Sequence, residues 1–195
     1  MDFKDKVILI TGAGRGTGRK LAVKLAMRGA VLALNDISPI NVEEVTAEIQ
    51  SRGGRAKAYI EDVAKKVGAQ MLVKSVEDDF GRIDVLINHA AVEPHTPLLN
   101  MDEWDWHRVL DVNLTGAFLM IQSTGRVMRE KGGGAILCLG PGAGERSEKE
   151  AGAYFASKAG LVELSYQADY ELMPQNIRVY AIRSYEEAIQ RLEEA

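Results

Sequence analysis

The chain carries a tyrosine and a lysine whose spacing suits proton transfer. Tyr154 and Lys158 lie four residues apart in Tyr-Phe-Ala-Ser-Lys, so a helix would present both on one face. A free phenol has a pKa of about 10 and needs a neighbouring cation to act as a general acid or base near neutral pH. Lys158 can supply that charge. The pair predicts acid–base chemistry on a substrate oxygen, although the same spacing also occurs on ordinary amphipathic helices.

A glycine-rich segment near the amino terminus has the composition of a phosphate-binding loop. It reads Thr-Gly-Ala-Gly-Arg-Gly-Thr-Gly over residues 11–18 and follows an apolar run at residues 7–10. Glycines let the backbone turn tightly and approach a ligand, and the N-terminus of a following helix attracts an anion. The G-x-G-x-x-G fingerprint is not matched, because Thr17 and Arg19 fall where its last glycine would be. The alternative is a glycine turn without a ligand.

Asp36 follows the second apolar run, at residues 31–34. A carboxylate at this place accepts hydrogen bonds from the ribose hydroxyls of adenosine and repels a 2′-phosphate. Arg15 in the glycine loop would instead favour an additional phosphate. We give more weight to the carboxylate and predict NAD as the cofactor, with NADP as the second choice. The alternative for Asp36 is a solvated turn residue.

Short apolar runs alternate with longer amphipathic stretches along the chain. This pattern predicts helices over 18–27, 41–52, 67–80, 105–128 and 151–172, and strands over 7–10, 31–34, 56–60, 84–88, 135–139 and 177–182. Such alternation implies parallel βαβ units. We predict an α/β fold, a Rossmann-type doubly wound parallel sheet of about six strands with helices on both faces. Residues 1–195 are expected to form a single dinucleotide-binding domain, with 183–195 as a charged helix or a frayed tail.

The composition is that of an ordinary globular domain, with 46% hydrophobic residues, 27% charged residues and a net charge of −4. A mildly acidic chain without a basic stripe argues against a nucleic-acid or membrane partner. The first apolar run is too short for a signal peptide, and Cys138 is the only cysteine. We therefore expect a cytoplasmic protein. His89, His95 and His107 lack metal-ligand spacing, so no metal site is predicted.

Further segments, in series with these, resemble the short-chain dehydrogenase/reductase family in its classical form. Asp62-Val63 lies where that family contacts the adenine. Asn88-His89-Ala90-Ala91 resembles its Asn-Asn-Ala-Gly element beside the ribose, with two positions changed. Asn113, in Val-Asn-Leu-Thr-Gly, lies in a segment similar to the one that carries a catalytic asparagine. The resemblance covers residues 3–182.

The resemblance implies roles for individual residues. Tyr154 would exchange a proton with the substrate oxygen, and Lys158 would lower the tyrosine's pKa and bind the nicotinamide ribose. Asn113 would hold the water of a proton relay through the helix backbone. The substrate would be a small carbonyl compound or alcohol. A homodimer or homotetramer is implied, paired through the helices that carry Asn113 and Tyr154. The implied cofactor contacts are Gly12, Gly14, Arg15, Gly16, Thr17, Gly18, Asp36, Asp62, Val63, Asn88, Ala90, Tyr154 and Lys158.

Two features depart from the family pattern. Pro141 stands where the family has a catalytic serine, and Ser147 could replace that hydroxyl only if its charged loop folds inward. After the last predicted strand the chain reads Ile-Arg-Ser-Tyr-Glu-Glu, where the family usually has Pro-Gly and a substrate-covering loop. The predicted function is NAD(H)-dependent oxidoreduction of a carbonyl/alcohol pair. The alternative is a catalytically impaired dinucleotide-binding sensor or scaffold subunit.

Overall fold

The structure, a computed structural model, describes residues 2–141 and 149–194. Within these ranges six strands form one parallel sheet in the order β3-β2-β1-β4-β5-β6. The strands are β1 (Val7–Thr11), β2 (Val31–Asn35), β3 (Arg55–Tyr59), β4 (Val85–Asn88), β5 (Gly134–Leu139) and β6 (Ile177–Ile182). The predicted α/β fold, with a doubly wound sheet of six strands, is confirmed.

Helices cover both faces of this sheet. In the described part of the chain they are α1 (Gly16–Met27), α2 (Pro39–Ser51), α3 (Lys66–Phe80), α4 (Glu103–Leu110), α5 (Gly116–Glu130), α6 (Gly152–Leu172) and α7 (Tyr185–Glu194). A π-helical turn, Asp111–Thr115, joins α4 to α5, so the long helix expected over 105–128 is interrupted. Such turns often mark functional sites. Among the described helices, none is long and apolar enough to cross a membrane.

The core consists of two apolar layers, one on each face of the sheet. Leu72, Met120 and Leu161 belong to the layer beneath α3, α5 and α6. Leu25 and Val45 belong to the layer beneath α1, α2 and α7. Strands β1, β2 and β4 are buried at every residue, which explains why each is apolar up to its last, polar residue. Each fully buried leucine or isoleucine side chain stabilises the fold by about 1.5–3 kcal/mol.

The last segment forms a helix that packs onto the core. Ala188, Ile189 and Leu192 of α7 are buried, at the three-to-four-residue spacing of one helical face. The Ser184 hydroxyl accepts a hydrogen bond from the Glu187 N–H at 3.1 Å and caps the helix start. The charged residues of this segment therefore form the solvent face of an amphipathic helix.

The strand order places a crevice at one edge of the sheet. The chain runs outward from β1 through β2 to β3, then crosses back to β4 on the other side of β1. Ligands of doubly wound sheets bind outside the carboxyl ends of the strands, at the point where this order reverses. We therefore expect a ligand-binding site among the segments that follow β1, β2 and β4.

Candidate active site

The glycine loop after β1 adopts backbone conformations that favour glycine. Gly12 and Gly16 have φ values of 65° and 57°, in the left-handed region. A Cβ atom on Gly18 would lie 2.4 Å from the Gly12 carbonyl oxygen, so the first turn of α1 packs directly against the loop. Among the described residues, no side chain caps the N-terminus of α1. Its free N–H groups and partial positive charge are what an anionic diphosphate requires.

Asp36 is tied to this loop by its side chain. One carboxylate oxygen accepts a hydrogen bond from the Gly14 N–H at 2.9 Å, and the other accepts from the Ser38 N–H at 3.0 Å. The Ala13 N–H donates to the Asn35 carbonyl oxygen at 2.9 Å, which also joins the loop to the end of β2. Asp36 is therefore held in place by the loop that it faces, and it lines the adjoining cleft.

Thr11 joins the ends of β1 and β4. Its hydroxyl oxygen accepts hydrogen bonds from the N–H groups of His89 at 3.1 Å and Ala90 at 3.2 Å. The Asn88 side chain is buried and donates to the Ala117 carbonyl oxygen at 3.4 Å. Asn88 thus anchors β4 to α5 beneath the crevice, and its side chain does not line the cleft described next.

A cleft of about 490 Å³ lies over the carboxyl ends of β1, β2 and β4, a volume within the usual range for ligand sites. Several predicted cofactor-binding residues line it, namely Gly12, Arg15, Asp36, Asp62, Val63 and Ala90. Other predicted contacts lie outside this lining, namely Gly14, Gly16, Thr17, Gly18, Asn88, Tyr154 and Lys158. Further lining residues that the sequence did not single out as ligands come from α4 and its π turn, with Trp104, Arg108 and Asp111 among them. The cleft therefore brings together predicted contacts at the ends of β1, β2 and β4, and Tyr154 and Lys158 lie outside its lining.

Tyr154 lies in the first turn of α6 and Lys158 in the second, one turn apart on the same face of the helix. The Lys158 ammonium is 5.7 Å from the centroid of the Tyr154 ring, within the range of a cation–π contact. The same ammonium donates a hydrogen bond to the Leu139 carbonyl oxygen at 2.6 Å, at the end of β5. Lys158 is only 3% exposed. Its charge is therefore held beside the phenol in a region of reduced dielectric constant, where electrostatic interactions are strong.

Asn113, in the π turn, holds the loop that follows β4. Its side-chain carbonyl accepts a hydrogen bond from the Val92 N–H at 2.8 Å, and its amide donates to the Val92 carbonyl oxygen at 2.9 Å. The amide also donates to the Ser157 hydroxyl at 3.0 Å, and that hydroxyl donates to the Tyr154 carbonyl oxygen at 2.7 Å. The predicted catalytic residues Asn113 and Tyr154 are thus connected through Ser157.

Sequence reasoning missed Ser157, although it stands in the same Tyr-Phe-Ala-Ser-Lys motif. Ser157 is 0% exposed, and its hydroxyl is engaged by Asn113 and Tyr154. It therefore does not take the place of the family's catalytic serine. The family resemblance assigns the position of that serine to Pro141, which offers no hydroxyl. Ser147, the other candidate, lies outside the described residues.

The histidines occupy different environments. His89 lies against the glycine loop, with Nδ1 3.0 Å from the Gly12 carbonyl oxygen, and burial lowers the pKa of its imidazole. His95 is exposed, and His107 lines the cleft. Within residues 2–141 and 149–194, no group of three or more histidine, cysteine or acidic side chains is arranged to hold a metal ion.

The chain is similar to known dehydrogenases over most of its length. A family model described as short chain dehydrogenase matches residues 6–186. An uncharacterized oxidoreductase of Thermotoga maritima is 38% identical over 182 residues, which cover 93% of this chain and 72% of that protein. D-threitol dehydrogenase of Mycolicibacterium smegmatis is 36% identical over 183 residues, which cover 93% of this chain and 70% of that enzyme.

Solved structures give the same result. Xylitol dehydrogenase with bound NAD⁺ superposes with a TM-score of 0.89 at 35% identity, covering 94% of this chain and 71% of that chain. A metagenomic short-chain oxidoreductase in complex with NADP superposes with a TM-score of 0.88 at 30% identity, covering 94% of this chain and 83% of that chain. At Gly18 the backbone leaves no room for a Cβ atom, so the glycine loop packs closely against the start of α1. This arrangement fits a dinucleotide diphosphate. This chain belongs to the short-chain dehydrogenase/reductase family, and it is an oxidoreductase whose cofactor is a nicotinamide dinucleotide.

Proposed function

We propose that the chain catalyses the NAD(H)-dependent interconversion of a carbonyl compound and an alcohol, within a single domain over residues 1–195. The observation that carries the proposal is the buried Lys158 ammonium, 5.7 Å from the Tyr154 ring centroid. A fixed cation stabilises a phenolate, so Tyr154 can donate a proton to a forming alkoxide or accept one from an alcohol. When bound, the nicotinamide supplies or accepts the hydride.

Asn113 has a positioning role in this proposal. Its two hydrogen bonds to Val92 and its link through Ser157 hold the loop after β4 against the turn of α6 that carries Tyr154. A tyrosine held in one place over the reacting oxygen reduces the entropic part of the barrier. The relay water implied by the family resemblance would sit near this asparagine.

NAD, rather than NADP, is the proposed cofactor. Support comes from Asp36, whose carboxylate is fixed by the Gly14 and Ser38 N–H groups at the wall of the cleft. The negative charge would repel a 2′-phosphate, while its lone pairs can accept hydrogen bonds from the ribose hydroxyls. Arg15 also lines the cleft and acts in the opposite direction. We give the carboxylate more weight because it is held by two hydrogen bonds.

A reductase assay tests the proposed reaction. NADH oxidation would be followed with carbonyl compounds of the types that relatives are named for, namely ketoses related to threitol and galactitol, and 3-oxoacyl thioesters. Tyr154→Phe should lower turnover by about 10²–10⁴-fold while leaving NADH binding nearly unchanged. Tyr170→Phe is the matched control, since Tyr170 lies on the same helix and is 76% exposed. Equal turnover in wild type and Tyr154→Phe would contradict the assignment.

Pro141 favours a second candidate function, a dinucleotide-binding sensor or scaffold without catalysis. Loss of a single oxyanion donor lowers the rate by about 10²–10³-fold in enzymes where it has been measured. A sensor would bind NADH in both wild type and Tyr154→Phe and would show no turnover in either. Substituting Pro141→Ser separates the two functions, because it should raise the turnover of an impaired enzyme.

We propose in addition that the protein forms homo-oligomers through α5 and α6. A groove of about 280 Å³ runs between these helices, and Phe118, Leu164 and Leu172 are among the residues that line it. Phe118 is 43% exposed and adjoins the other apolar residues of this groove, and a contiguous exposed apolar patch marks an interaction surface. Light scattering should give the mass of a dimer or tetramer for wild type and a smaller mass for Phe118→Lys. A monomeric wild-type protein would contradict this proposal.

A further inference from the structure

His89 is packed between two glycines of the proposed cofactor loop. Its Nδ1 atom lies 3.0 Å from the Gly12 carbonyl oxygen. A Cβ atom added to Gly18 would lie 2.7 Å from the same nitrogen, and one added to Gly12 would lie 3.1 Å from it. The imidazole therefore fills the space under the turn between β1 and α1. It is in contact with the loop at the point where the loop leaves the sheet.

The partner of Nδ1 fixes the tautomer of the neutral imidazole. A backbone carbonyl oxygen only accepts hydrogen bonds, so Nδ1 must carry the proton that is donated to Gly12. Nε2 is then the basic nitrogen. Protonation at Nε2 leaves the hydrogen bond to Gly12 intact and adds a positive charge beneath the loop.

Charges of both signs surround His89. Burial lowers the pKa of its imidazole, and the Lys158 ammonium on α6 acts in the same direction. The Asp36 carboxylate at the end of β2 raises the pKa, although its effect is smaller. The charged side chains that share the cleft with His89 are Arg15, Asp36, Glu61, Asp62, Lys65, Arg108 and Asp111. In the free protein His89 is therefore neutral near pH 7.

A diphosphate on the glycine loop would change this balance. It would bring negative charge next to a partly buried imidazole that is held between Gly12 and Gly18. An anion in a region of low dielectric constant favours the imidazolium form. Binding at this loop would then be coupled to uptake of a proton.

We propose that His89 is a further dinucleotide-binding residue, which holds the glycine loop through Nδ1 and takes up a proton at Nε2 when the diphosphate binds. This inference rests on the proposed function, because it requires a dinucleotide in the crevice. It predicts that affinity for NADH and for ADP-ribose rises as the pH falls below neutrality. If the ligand raises the imidazole pKa by one unit, protonation increases the affinity for that ligand by up to about tenfold.

The tautomer is tested first, in the free wild-type protein. Long-range ¹H–¹⁵N NMR spectra distinguish the two neutral tautomers, and the chain has only three histidines. Comparison with His89→Asn assigns the signal. The Nδ1–H form is expected. A neutral Nε2–H form for His89 would overturn the inference, whatever the protein binds.

Proton uptake is then measured by isothermal titration calorimetry with NADH and with ADP-ribose. Each titration is made in two buffers of different ionisation enthalpy, at about pH 6 to 8, the range in which the histidine side chain ordinarily titrates. Wild type and the exposed-site control His95→Asn should take up a fraction of a proton for each ligand bound. His89→Asn and His89→Gln should bind with almost no proton uptake and with a flatter dependence of Kd on pH.

Two outcomes would overturn the inference in distinguishable ways. If wild type binds NADH without proton uptake, or if His89→Asn takes up as many protons as wild type, the inference is wrong and the proposed function stands. If no protein gives a heat of binding with either ligand, the proposed function is wrong and this inference falls with it.

Discussion

Asn113 and Val92 are joined by two hydrogen bonds between one side chain and one backbone residue. The Val92 N–H donates to the Asn113 side-chain oxygen at 2.8 Å, and the Asn113 amide donates to the Val92 carbonyl oxygen at 2.9 Å. Asn113 is 1% exposed, so its side chain is held by protein groups and not by bulk water. The pair fastens the loop after β4 to the π turn between α4 and α5.

Asn113→Ala should therefore lower the free energy of unfolding by about 1–3 kcal/mol, because it removes the hydrogen-bond partner of two partly buried backbone groups of Val92. Urea denaturation measures this change. Asn100→Ala is a suitable control, since Asn100 is exposed in a neighbouring segment and should change stability by less than about 0.5 kcal/mol. Equal midpoints for the two variants would show that the Asn113–Val92 pair does not stabilise the fold.

The charge of Asp36 should decide between the two cofactors. Asp36→Asn keeps an acceptor for the Gly14 N–H and removes the negative charge. The ratio of NADPH affinity to NADH affinity should rise by roughly tenfold or more, because like charges placed together at a binding site cost several kcal/mol. Adding Arg15→Ala to this variant should reverse part of the gain. An unchanged ratio in Asp36→Asn would contradict the role assigned to the carboxylate.

Packing of α7 should contribute to the stability of the whole domain. Leu192 is 0% exposed and belongs to the core layer shared with α1 and α2. Leu192→Ala should lower the free energy of unfolding by about 2–5 kcal/mol, through lost apolar burial and the cavity left behind. Gln190→Ala, on the exposed face of the same helix, should have almost no effect. If both variants unfold at the same urea concentration, α7 is not part of the cooperative core.

Acid should destabilise the protein partly through His89. Burial lowers the pKa of His89 in the folded state below its ordinary value of 6.5. As the pH falls below 6.5, the unfolded chain binds a proton that the folded protein does not bind, so stability decreases until the folded-state pKa is passed. Urea midpoints of His89→Asn should change less over this range than those of wild type. Parallel pH profiles for the two proteins would show that His89 makes no such contribution.

Much of the fold could be predicted because its signals are local. The apolar runs of β1, β2 and β4 are buried at every residue. Each run can therefore be recognised in the sequence without knowing which strands it pairs with. The π turn at Asp111–Thr115 was not predicted, because a single i→i+5 turn inside a longer helical segment has no distinctive residue pattern. The final segment was ambiguous because its buried face contains only a few apolar residues among many charged ones.

The contact between Tyr154 and Lys158 was predictable, because one helical motif contains both residues. Contacts were not predictable where the partners are distant in sequence. Ser157 contacts Asn113 across 44 positions, and His89 contacts Gly12 across 77 positions. Contacts of this kind depend on the order of strands in the sheet, which brings the ends of β1 and β4 together. The sequence around a serine or a histidine does not indicate which distant residue it contacts in the folded protein.

The most direct test of the central claim is a fluorescence titration of the protein with NADH and, separately, with NADPH. Trp104 lines the cleft, so its emission should be quenched as the dinucleotide binds, and Trp104→Phe serves as the control for the signal. The account predicts saturable NADH binding with a Kd between about 1 µM and 1 mM, the range usual for enzyme ligands, and weaker NADPH binding. Gly18→Val should abolish both, because its side chain would occupy the space of the Gly12 carbonyl oxygen and His89. Absence of binding by the folded wild-type protein, with either cofactor at millimolar concentration, would contradict the account.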